Sequence, residues 1–187
     1  EEQCDLFEEM NQVISRGKVP QEEIVEASEK LFNILLNTRI LGVTCRGQIA
    51  LESIARKIVP TARLESILDR WTNELLSTLD HFDMENMRRS AALPYLALSI
   101  LRLNTPDIMQ TKHSIFERLV RTLVEVIKNS SSEDEKSSQE ATHSLNMIRA
   151  VLTDKVTSPL SEVILPSVFE SIFIVLEKID NWDLVTA

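Results

Sequence analysis

Adjacent arginines are the residues here whose type and spacing say most about chemistry. Arg88 and Arg89 precede the small side chains Ser90, Ala91 and Ala92. If a helix starts close by, two cations near the positive end of its dipole cost stability and need another purpose. A guanidinium fork grips a phosphate or a carboxylate in bidentate fashion, so the pair suits a polyanion or a partner's acidic groups. The plainer alternative is two solvated arginines or internal ion pairs. His81, His113 and His143 have no partner at helical ligand spacing and no Cys-x-x-Cys nearby, so they read as ordinary helix-surface or loop histidines. Trp71 and Trp182 could stack on bases, but Trp71 falls on an apolar helical stripe and reads as core. Glu22-Glu23 and Asp134-Glu135 lie in polar stretches and read as solvated faces, whereas a catalytic carboxylate pair needs burial to tune it.

No glycine-rich phosphate loop is present, and three glycines in 187 residues leave nothing to build one from. The same scarcity disfavours a β-sandwich or a glycine-looped nucleotide fold. Two cysteines, Cys4 and Cys45, cannot make a disulfide framework, and a reducing cytoplasmic setting is expected. No apolar run approaches the roughly 20 residues of a membrane span.

The elements that must position these groups are helices throughout. Apolar residues recur at spacings of three and four from Leu6 to Ile14, Ile24 to Leu35, Leu64 to Leu79, Ile115 to Ile127 and Ala141 to Leu152. A further helix is expected over about 46–58, and another reaching Leu103, which Pro94 either kinks or begins. Asp83 is a candidate cap for that helix. The polar run 129–138 reads as a mobile loop, with Ser137 and Glu140 as a capping box opening the helix through Leu152. Ser158-Pro159 is expected to open a helix bent at Pro166, and Asn181-Trp182 to begin one more. The fold class is therefore all-α, an α-solenoid of stacked antiparallel helix pairs forming a single segment over 1–187, a fragment of something larger.

Arg88-Arg89-Ser90-Ala91-Ala92-Leu93-Pro94 resembles the Arg-Arg-Ser-Ala-Gly-Leu-Pro signature of the thyroid adenoma-associated protein (THADA) family, which includes the regulatory subunit of a yeast tRNA ribose methyltransferase. Thr44-Cys45-Arg46-Gly47 resembles an upstream block of that family. The stretch from His143 to Ala150, containing Asn146 and Arg149 and ending at Asp154, resembles its His-Ala-Leu-Asn-Ile-Leu-Arg-Ala block. The resemblance covers roughly residues 40–187. It implies HEAT- or armadillo-like repeats in a non-catalytic partner of an FtsJ-type enzyme that methylates a 2′-hydroxyl in the tRNA anticodon loop. S-adenosylmethionine would belong to that enzyme, and this chain needs no cofactor. The implied RNA- or partner-binding residues are Arg88, Arg89, Ser90, Leu93, Pro94, Arg46, His143, Asn146 and Arg149. Ala92 departs from the motif glycine, a strain if that position needs positive φ. After Trp182 the chain reads Asp183-Leu184-Val185-Thr186 where the family tends to continue with arginine and asparagine, which leaves any role of those residues uncarried.

A protein-interaction solenoid with no RNA contact is the competing expectation, favoured by acidic flanks and the serine-rich run. The net charge of −9 is unevenly spread. Residues 1–30 carry −6, residues 31–127 carry +2 and residues 128–187 carry −5. A limited basic patch for tRNA would have to lie in the middle stretch, among Arg39, Arg46, Arg56, Lys57, Arg63, Arg88, Arg89 and Arg102.

Overall fold

A computed structural model describes residues 19–38, 40–80, 92–103, 109–130, 134–162 and 164–178. Within them the chain forms α1 (Gln21–Asn37), α2 (Leu41–Ala55), α3 (Thr61–Asp80), α4 (Leu93–Arg102), α5 (Met109–Asn129), α6 (Glu135–Thr153), a 3-10 turn (Ser158–Ser161) and α7 (Leu165–Lys178). No strand occurs among the described residues. The stripe at 6–14, Asp83 and the start at Asn181-Trp182 lie outside them.

Local chemistry explains most boundaries and corrects several expected ones. α1 begins after Pro20 and places Glu22 and Glu23 in its first turn, where the dipole favours them. α2 starts at Leu41, five residues earlier than expected. Gly42 and Gly47 lie inside it, because burial of Val43, Ala50, Leu51 and Ile54 outweighs the roughly 1 kcal/mol each glycine costs a helix. Pro94 begins α4 instead of kinking it, since a first-turn residue needs no backbone donor. α6 starts at Glu135, and its cap is Asp134, not Ser137. The Asp134 carboxylate accepts from the backbone N–H groups of Lys136 and Ser137. Residues 135–138, expected in a loop, are therefore helical. The expected helix from Ser158 is two elements, a 3-10 turn and then α7 with Pro166 in its first turn.

The helices pack in two rows. α2, α4 and α6 form one, and α3, α5 and α7 form the other; α1 meets α2, and α5 meets α6. α1 joins the second row through Phe32, which stacks on Trp71 of α3 with ring centroids 4.7 Å apart and planes within 5°. Ion pairs stitch the rows lengthwise. Arg63 meets Glu22, and Arg70 meets Glu29, both 41 residues apart. Advancing together along α1 and α3, these pairs show that the two helices run parallel. Arg118–Asp69 spans 49 residues and Lys128–Glu170 spans 42. This all-helical arrangement is consistent with an α-solenoid.

Trp71 is the largest of the fully buried side chains and lies in one continuous apolar core that runs from Ile24 to Val168. Replacing Trp71 with Ala should cost about 3–5 kcal/mol and lower Tm by roughly 10 °C. A thermal melt that shifts by only a degree or two would show that the α1–α3 stack does not carry the packing assigned to it.

Candidate functional site

α4 is a short, mostly buried helix, and both of its ends meet other helices. At its C-terminus, Arg102 reaches Asp154, the residue that caps the end of α6, and Glu52, one turn before the end of α2, with Nη1 3.6 Å from the Glu52 carboxylate. The C-termini of all three helices thus converge on one guanidinium. Gln48 donates to Glu52 at 3.0 Å, and Arg56 lies 3.6 Å from the same carboxylate. Asp154 also accepts from the backbone N–H groups of Val156 and Thr157, each at 3.1 Å. Arg102 beside it holds the Asp154 carboxyl below its usual acidity range. Sequence groups Arg102 with a possible basic patch; its charge is instead taken up inside the protein, as are those of Arg63, Arg70 and Arg118.

At the other end of α4, a cleft of about 470 Å³ opens between α4 and α6. Pro94, Tyr95 and Leu98 form one wall. His143, Asn146, Arg149, Ala150 and Thr153 form the other, with Asp154 at the edge. The spacings 143, 146, 150 and 153 trace a single face of α6. The Tyr95 hydroxyl lies beside the Cys45 thiol of α2; that neighbour, with burial, raises the tyrosine pKa. Burial pushes the His143 imidazole down to about 4, so the ring is neutral at physiological pH, unlike a surface histidine. Arg149 is exposed, and no carboxylate pairs with it among the described residues.

Four of the residues singled out by sequence, Pro94, His143, Asn146 and Arg149, therefore line one cleft. Arg46 does not line it, but sits next to Cys45 on the exposed side of α2. Leu93 is buried, so it anchors α4 and offers no surface. Arg88, Arg89 and Ser90 lie outside the described residues. Ala92 has φ −84° and is buried, so alanine is unstrained there. Sequence reasoning misses Tyr95. Its signal is its position, the chain's single tyrosine placed directly after Pro94 at a helix start.

Among the described residues, no group of three or more His, Cys, Asp or Glu side chains could hold a metal ion, and no helix is long and apolar enough to cross a membrane. The class defined by this geometry is an all-helical protein with a mixed polar and apolar cleft between two helices of one row. A family profile described as THADA/TRM732, DUF2428 matches residues 2–180, and the chain belongs to that family. No curated protein and no solved structure matches it. Family membership suggests a role as a partner in tRNA modification.

Two measurements check the site. The His143 ring, followed by NMR, should titrate near pH 4. Because unfolding frees that imidazole to take a proton, its contribution to stability is complete above about pH 6.5 and is lost as pH falls toward 4. A midpoint near 6.5 would mean that the ring is solvated. Separately, Arg102→Met should cost roughly 2 kcal/mol, and less in an Asp154→Asn background. Equal costs in both backgrounds would show that the two side chains do not act as a unit.

Proposed function

We propose that this chain is part of a HEAT- or armadillo-like solenoid acting in the cytoplasm as the non-catalytic partner of an FtsJ-type methyltransferase. The enzyme would bind S-adenosylmethionine and methylate a ribose 2′-hydroxyl in the tRNA anticodon loop, while this chain helps it engage tRNA. The carrying observation is the convergence of separate family-like blocks on the α2–α4–α6 row. Cys45, in the block with Arg46, lies beside Tyr95, the residue that directly follows the block ending at Pro94. That second block faces the block holding His143, Asn146 and Arg149 across a cleft. The lengthwise ion pairs at separations of 41 and 42 residues fall within a repeat of about 40–47 residues, the HEAT and armadillo period, and the one at 49 lies just outside it.

Four arginines, Arg63, Arg70, Arg102 and Arg118, are paired with carboxylates of the chain itself, which favours a scaffold that adds a few contacts to those of an enzyme. The test is reconstitution of anticodon-loop methylation from the full-length protein, the methyltransferase and tRNA. The variants are Arg88→Ala/Arg89→Ala and Asn146→Ala/Arg149→Ala. Each double variant should lower the rate by tenfold or more while remaining folded. Full stimulation by both would remove the assigned residues from the function.

A further inference from the structure

We propose that the cleft between α4 and α6 holds one unpaired RNA nucleotide, its base against Tyr95 and Leu98, its edge on Asn146 and its phosphate on Arg149. The inference rests on the tRNA-partner reading and adds to it the ligand of this cleft. Its volume, about 470 Å³, lies in the range of pockets that enclose a small ligand. The wall from α4 supplies an aromatic ring, and bases stack on such rings whatever their sequence. The Tyr95 hydroxyl lies beside Cys45 of α2, so the ring is packed between α2 and the cleft before anything binds. On the facing wall, the Asn146 amide makes no hydrogen bond among the described residues, so its donor and acceptor are available together, the pairing a base edge presents. One turn further on, Arg149 supplies one unpaired cation, enough for one phosphate.

Charge distinguishes this occupant from an acidic protein tail. A run of carboxylates needs several cations, whereas this cleft offers one, with Asp154 at its edge already committed to Arg102. The rest of the lining is neutral, including His143, and neutral polar groups beside an aromatic ring suit a base better than a carboxylate.

The experiment uses the full-length protein and an anticodon stem-loop RNA carrying 4-thiouridine in its loop. Photo-crosslinking should map to Tyr95 or its neighbours in the cleft. Tyr95→Phe, which keeps the ring and loses the hydroxyl, should retain most binding, and Tyr95→Ala should weaken it about tenfold. Arg149→Gln should also weaken binding about tenfold and reduce the slope of log affinity against log salt by about 0.7, one single-strand phosphate contact. Circular dichroism of each variant establishes that it is folded. Affinity and cross-link unchanged in both Tyr95→Ala and Arg149→Gln would overturn the proposal, even if methylation is stimulated normally and the partner reading survives. Variants that still bind RNA but no longer capture the methyltransferase would overturn it too, making the cleft a protein interface. RNA held in the cleft without stimulation of the methyltransferase would support the pocket and sink the partner reading.

Discussion

The fold depends on a shared electrostatic problem at one end of the α2–α4–α6 row. Three helices that run in the same direction bring their negative dipole ends together, and Glu52 and Asp154 add two carboxylates there. Left alone, these charges would weaken the packing of the row. Arg102, the last residue of α4, meets both carboxylates at once. Its position at a helix C-terminus is also where the dipole favours a cation. The Asp154 carboxylate then receives two backbone N–H groups of the turn after α6, so the same cluster fixes the exit of the chain as well. Because Asp154 also edges the cleft, the interaction that holds the row together also sets the spacing of the cleft walls.

This arrangement has a consequence for charge. A middle stretch with an excess of two positive charges looks, in one dimension, like a site for a polyanion. In three dimensions, Arg63, Arg70, Arg102 and Arg118 each reach a carboxylate on another helix or on its cap. Exposed pairs of this kind contribute little each, and their main effect is to favour one alignment of neighbouring helices over others. Arg149 is exposed at the cleft, and no described residue pairs with it.

Helix content is legible in the sequence because burial of one face imposes a period that composition cannot hide. Trp71 can be assigned to the core on that ground alone, and it is buried against Phe32. The start of α2 is not legible, since two glycines argue locally against a helix that tertiary burial makes favourable. The cap of α6 is ambiguous because Asp134 and Ser137 are both good capping residues, and only geometry decides which carboxylate or hydroxyl reaches the free N–H groups. The sequence shows no repeat of residue types, and packing alone brings together residues such as Glu22 and Arg63 or Lys128 and Glu170. For the site, resemblance names Pro94, His143, Asn146 and Arg149 without saying that they meet. That fact belongs to the packing of α4 on α6.

Ala92 shows how a departure from a family pattern can be judged on physical grounds. A glycine can serve a left-handed turn, a close approach of backbone, or neither. At position 92 the backbone is right-handed, with φ −84° and ψ −25°, so the first requirement is absent. The residue is fully buried, and its methyl group occupies space that a glycine would leave empty. No side chain caps α4 here, and Pro94 removes one of the first-turn donors that would otherwise need a partner. Leu93, next to it, is buried as well. Alanine at 92 therefore belongs with Leu93 to the anchoring of α4, and the wall of the cleft begins only at Pro94. Within the described part of the motif, buried Ala92 and Leu93 hold this helix and the lining of the cleft starts at Pro94.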